Sequence, residues 1–235
     1  MISITRCEKK LLFTLLAYSI IPAVGGLLRM LELVAGTHLG LPENPRALAS
    51  PAAISVHAIS STIFCVIGAT QFLPSLRRQH NRLHRVSGRL VAASGCLSAV
   101  TGLWMTHIFD FPEELQGCVL FVARLVVGLS MIALILWGVI AARLASHIQH
   151  GQCLLRAYAL GLGASTQAFV GLGWLLLTGV EAQGSLRDGL MVFAWVINLI
   201  AAEWLIRKYL KASLPPLNSL PSEHAANSNA SHQTS

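Results

Sequence analysis

The sequence predicts an all-α fold, a polytopic transmembrane helical bundle of six spans. Three observations predict it: the composition, six apolar runs of membrane-spanning length, and the confinement of basic residues to alternate connections. Hydrophobic residues make up 54% of the 235-residue chain and charged residues 11%, with a mean hydropathy of +0.63. Soluble domains carry roughly a quarter of their residues as Asp, Glu, Lys and Arg. A helix needs about 20 apolar residues to cross the hydrocarbon. The runs lack the strict polar alternation of a barrel strand, and a spanning chain must satisfy its own backbone groups, so the spans are expected to be helices.

The first run, Leu11 to about Leu33, follows Arg6, Lys9 and Lys10 and contains Pro22, which removes one backbone hydrogen bond and favours a kink. Its basic start and the small residues Ala23, Gly25 and Gly26 also fit a cleaved signal peptide. The apolar character continues through Leu27, Leu28, Met30, Leu31 and Leu33, so a retained helix is the expectation. The second run, Ala53 to Leu73, carries Ser61, Cys65 and Ala69 at four-residue spacing, and the third, Gly88 to Phe109, carries Ser94, Ser98 and Gly102. Such stripes let helix backbones approach closely in lipid, where van der Waals packing drives association. The fourth, fifth and sixth runs are Cys118 to Ala142, Cys153 to Thr178 and Gly189 to Ile206. They complete a transmembrane domain over residues 1–212. From Ser213 the chain turns to Pro, Ser, Asn, His and Gln without apolar periodicity, and residues 213–235 are expected to be a disordered polar cytoplasmic tail.

Charge predicts the orientation. Arg6, Lys9 and Lys10, the segment from Arg77 to Arg89, Arg143 and Arg156, and Arg207, Lys208 and Lys211 all fall on one side of a six-span bundle. The other side carries Glu43, Asp110, Glu113, Glu114, Glu181 and Asp188, with Arg46 and Arg187. Short connections rich in Lys and Arg stay cytoplasmic, so both termini are expected inside, in a bacterial cytoplasmic membrane. The net charge of +7 follows from this placement and from contact with anionic lipids, and nucleic acid is not an expected partner. The cysteines Cys7, Cys65, Cys96, Cys118 and Cys153 form no CxxC pair, and neither an external disulfide nor a zinc knuckle is expected.

His57, Gly68, Gln71-Phe72, Arg77, His84-Arg85 and Gly88-Arg89 are followed by His150-x-x-Cys153-Leu154-x-Arg156-Ala157-Tyr158-Ala159-Leu160. This pattern resembles a family of predicted bacterial membrane proteins classed as domain of unknown function 2306, from about His57 to Gln167. The resemblance implies a multi-span inner-membrane protein and no settled activity. The chain departs from the family pattern at Cys153-Leu154, where Trp-Met is usual, and at Gln167, where a second arginine is usual.

Two constellations stand out. His57, near the outer end of the second span, and His107, at the outer end of the third, are candidates to face each other across antiparallel helices. Histidines on different helices of a bundle are what a b-type haem needs, and Arg124, two turns into the fourth span, suits a haem propionate. A redox membrane subunit is the function this implies. His84 and His150 belong to the cytoplasmic layer and are further cofactor candidates. There Arg77, Arg85, Arg89 and Arg156 gather where the third and fifth spans point their positive ends, an arrangement suited to phosphate or carboxylate. A non-enzymatic transporter or a scaffold for anionic lipids is the alternative function, although no similarity between the two halves suggests a transporter repeat. Gln71 and Gln167 are read as hydrogen-bonding across helices, Arg29 with Glu32 and Glu203 with Arg207 as helix ion pairs. No GxSxG elbow, HExxH pair, Walker loop or deep carboxylate pair supports hydrolytic chemistry.

Overall fold

The computed structural model describes residues 4–36, 50–109 and 111–210, with the side chains of residues 209 and 210 left aside. The expected tail at 213–235 lies outside the described residues. The elements are α1 (Arg6–Ala35), α2 (Pro51–Gln71), the short α3 (Pro74–Gln79), α4 (Asn81–Ile108), α5 (Cys118–Arg143), α6 (His147–Gly161), α7 (Gly163–Thr178) and α8 (Gly184–Leu205), closed by a π-helical turn over Ile206–Leu210. Among the described residues there are no strands. Six helical stretches among the described residues are long and apolar enough to cross a membrane, with α6 and α7 together forming the fifth. Large side chains such as Phe13 (74% exposed) and Leu177 (87%) stand on the outside of the bundle. That distribution is costly in water and natural against lipid tails.

The ends of the helices are fixed by local chemistry. Thr5 and Glu8 form a capping box on α1: the Thr5 Oγ1 accepts from the Glu8 amide and the Glu8 carboxylate accepts from the Thr5 amide. The same buried carboxylate accepts from the Ser75 amide at 2.7 Å and the Ser75 hydroxyl at 2.5 Å, tying the start of α1 to α3. Asp188, 2% exposed, does the corresponding work for α5. Its carboxylate accepts from the amides of Gly117 and Leu120, both at 3.1 Å, at the positive end of that helix. The segment from Arg77 to Arg89, expected as a connection, is helical apart from His80: α3 holds Arg77 and Arg78, and α4 begins at Asn81. Pro22 sits inside α1, which continues helical on both sides of it.

The end of the bundle carrying Arg77–Arg89 is called here the basic end, and the other the acidic end. α2 and α4 make the most extensive contact, along the expected small-residue stripes, with Cys65, Ala69, Ser94 and Ser98 buried. The core lies toward the basic end and comprises Phe64, Cys65, Ala69, Val91, Ile135, Ala157, Tyr158 and Leu160. There α6 packs against α2, α5 and α8 at the centre of the molecule. At Leu162 the helix is interrupted, and its continuation α7 packs against α8 and α1. The fifth span therefore occupies the centre in its basic half and the periphery in its acidic half.

Candidate functional site

The departure of α7 leaves a cavity of about 600 Å³ in the acidic half, lined by residues of all six spans. That size is typical of small-molecule sites. Leu160, Gly161, Cys65 and Met131 form its basic-end floor, where the core begins. The walls are mostly apolar or small, with Pro22, Ala23 and Gly25 from α1, Gly102 and Leu103 from α4, Gly128 from α5 and Trp195 from α8. Arg29, His57 and Arg124 also line it. Each lies about 9 Å inside the acidic end of its helix at 1.5 Å per residue, so the three form one polar level.

The hydrogen bonds of this level are specific. The Nδ1 of His57 lies 3.0 Å from the Ser98 carbonyl and 3.1 Å from Thr101 Oγ1, both on α4. A carbonyl only accepts, so Nδ1 carries the proton; in the neutral ring this tautomer leaves Nε2 as an acceptor. Arg29 is paired with the buried Glu32 at 2.7 Å. The Arg124 guanidinium donates to Gln116 and stands over the Phe111 ring, 5.0 Å from its centroid. Ser19, Ser61 and Thr106 line the cavity too, but their hydroxyls donate to carbonyls of their own helices. Gln167 donates from Nε2 to the Met191 carbonyl at 3.2 Å, which leaves Oε1 as an acceptor.

One wall is held by a directed chain of hydrogen bonds. Asn198 Nδ2 donates to the Ala159 carbonyl at 2.9 Å, and Thr166 Oγ1 donates to Asn198 Oδ1 at 2.6 Å. The Thr166 proton being committed, the Tyr18 hydroxyl donates to Thr166 Oγ1. The chain joins α1, α7, α8 and α6 beside the interruption at Leu162. Tyr158 Oη donates to the Cys65 carbonyl at 2.7 Å and locks α6 to α2 beneath the cavity floor.

The candidates from sequence separate into four places. His57 and Arg124 share the cavity, whereas His107 is exposed and is not among the residues lining it. At the basic end His84 lies within electrostatic reach of His150 and Arg77. His150 Nδ1 donates to the Gly138 carbonyl at 2.9 Å, while His84 Nδ1 is buried without a hydrogen-bond partner among the described residues. Arg77, Arg85 and Arg89 are exposed. Arg156 is engaged elsewhere, in a two-point pair with Glu203 of α8 at 2.5 and 3.1 Å. Glu203, read from sequence as a partner for Arg207, thus reaches across helices. Gln71 bonds Ser87 of α4 at 2.8 Å, a cross-helix contact like that of Gln167.

Sequence reasoning missed Arg29 as part of the site, and missed Ser98 and Thr101 as the groups that orient His57. Counting inward from the span ends places Arg29 and Arg124 level with His57 and would have joined them. Among the described residues no group of three or more His, Cys, Asp or Glu side chains is placed to hold a metal ion. No curated protein and no solved structure matches the chain. The family model described as "Predicted membrane protein (DUF2306)" matches residues 54–206, and the chain belongs to that family.

Proposed function

We propose that this membrane protein binds a small, largely apolar molecule in the cavity of its acidic half. One observation carries the reading: where the fifth span leaves the bundle centre, a chamber of about 600 Å³ remains with an oriented imidazole in its wall. A bundle selected only for packing would fill that space, since unfilled volume forfeits dispersion contacts. Positive-inside placement supports an inner-membrane orientation with the basic end and both termini cytoplasmic, so that the cavity lies in the outer half. Arg77, Arg85 and Arg89 then meet anionic lipid head groups at the inner leaflet.

In this cavity a b-type haem held by two imidazoles does not fit. His57 has the arrangement of a ligating ring, its Nδ1–H fixed by a carbonyl, but no second histidine among the described residues lines the cavity. Replacement of His57 is accordingly expected to leave the visible spectrum of a purified preparation unchanged. The binding reading is tested with Gly25→Leu. Gly25 lines the cavity and a Cβ there meets nothing within 4 Å, so the larger side chain starts from open space at the cavity wall. Mass spectrometry of small molecules co-purifying in mild detergent is expected to find an apolar compound on the wild type. That compound should be depleted at least about tenfold on the variant, at unchanged melting temperature. Equal occupancy of both proteins would show that the cavity is not the site.

A further inference from the structure

We infer that the molecule bound in the cavity is a single-chain amphiphile, with one anionic head group, a carboxylate or a phosphate, and an apolar tail. The inference rests on the binding function proposed above and names its ligand class. It follows from where charge lies along the cavity. Arg29 and Arg124 line it, and no Asp or Glu is among the lining residues. Both arginines stand on the level of His57, about 9 Å inside the acidic end. Ionisable side chains at such depth are costly and mark ligand sites or counter-ions. Arg124 donates to the neutral amide of Gln116, and Arg29 to Glu32, which is not itself a lining residue. A guanidinium offers five N–H donors in a planar fork, serves several partners at once, and suits an oxyanion.

Deeper in, the charge ends. Cys65 and Met131, on the floor, lie about 20 Å inside the acidic ends of α2 and α5, so the chamber continues for about 11 Å beneath the arginines. The polar side chains lining that stretch, Ser19, Ser61, Thr62, Gln167 and Trp195, are uncharged, and the two serine hydroxyls are spent on carbonyls of their own helices. Ala99, Val127 and Leu160 supply apolar wall between them. Cationic near the acidic end and largely apolar below, the chamber repeats the gradient of the surrounding leaflet, whose head groups lie at the surface and whose tails point to the midplane. An amphiphile of that leaflet enters in the orientation it already has. A neutral ligand of the same length gains the apolar contacts but forgoes the charge-assisted hydrogen bonds, which are about twice as strong as neutral ones.

The test is calorimetric titration of the full chain in a neutral detergent with decanoate, decyl phosphate and decanol, at a pH where both acids are ionised, using Gly25→Leu to measure partition into the micelle. The better-bound anion is expected to bind at least about tenfold tighter than decanol, and it identifies the head group. Arg124→Gln and Arg29→Gln are each expected to reduce that ratio at least about threefold with decanol binding unchanged, whereas Arg124→Lys, which keeps the charge, retains most of it. The wild-type comparison stands by itself if either Gln variant fails to fold. The compound that co-purifies with the wild type and is depleted by Gly25→Leu is expected to be an acid. Decanol binding as tight as that of both anions, an anion preference unchanged in both Gln variants, or a neutral co-purifying compound depleted by Gly25→Leu overturns the anion assignment and leaves cavity binding standing. Anion binding undiminished by Gly25→Leu is micelle partition and overturns it as well. Absence of binding by all three probes also overturns the assignment. If no co-purifying molecule responds to Gly25→Leu either, the binding function falls with it.

Discussion

Phe64 shows how single positions hold the bundle. A Cβ on Gly95 of α4 would lie 2.6 Å from its ring and 2.7 Å from Ile135 Cδ1, and a Cβ on Gly161 of α6 would lie 2.5 Å from it. The ring also stands 5.8 Å from that of Tyr158. Three helices therefore meet on one phenyl group, with Ile135 of α5 beside it, and neither Gly95 nor Gly161 has room for a methyl. Gly95→Ala is expected to destabilise the protein by about 1–3 kcal/mol, the usual cost of overpacking. Gly171→Ala, whose Cβ meets nothing within 4 Å, is expected to be neutral or up to about 1 kcal/mol stabilising, because it removes a helix-weakening glycine. Thermal unfolding in detergent separates the two; equal melting temperatures would show that the Phe64 junction is loose. The sequence made the neighbouring stripe of Ser94, Ser98 and Gly102 visible by its spacing. It did not reveal Phe64 as the side chain that fills the gap, because that depends on how far each helix is rotated about its axis.

At the scale of elements, the division of the fifth span matters most. Apolar periodicity runs continuously from Cys153 to Thr178, so the pattern predicts one helix, and the interruption at Leu162 leaves no mark in hydropathy. Its cause is tertiary. A Cβ on Gly163 would lie 2.1 Å from Trp195 Nε1, so the chain just past the interruption lies against α8 at a distance open only to glycine. The Tyr18–Thr166–Asn198 chain then holds α7 against α1 and α8. Six spans were legible because each is a local property of about 20 residues, whereas the cavity depends on which neighbours one half-span chooses. The same reasoning applies to Asp188, read from sequence only as an acidic-side charge. Buried and accepting two amides at the start of α5, it fixes that helix relative to α8. Asp188→Ala is expected to cost about 1–2 kcal/mol through loss of the cap. Asp188→Asn, which keeps one acceptor oxygen, should cost less. A melting temperature unchanged in Asp188→Ala would mean that water or the backbone supplies the cap equally well.

For the whole molecule, composition and charge placement were enough to read the architecture, because lipid imposes few solutions on a chain this apolar. The candidate site was only half legible: His57 and Arg124 were singled out, but their common depth with Arg29 and the position of His107 outside the cavity needed the packed bundle. Orientation now decides what the cavity can reach, and two native cysteines can report it. Cys7 is exposed near the start of α1 at the basic end, and Cys118 is exposed at the start of α5 at the acidic end, while Cys65 and Cys153 are buried. If basic connections remain inside, a membrane-impermeant maleimide added to intact spheroplasts should modify Cys118 and spare Cys7. Lysis should then make Cys7 reactive, and Cys7→Ser and Cys118→Ser assign the two signals. Modification of Cys7 in intact spheroplasts, with Cys118 protected until lysis, would invert the protein. The cavity would then face the cytoplasm, and its ligand would have to come from the inner leaflet or the cytosol.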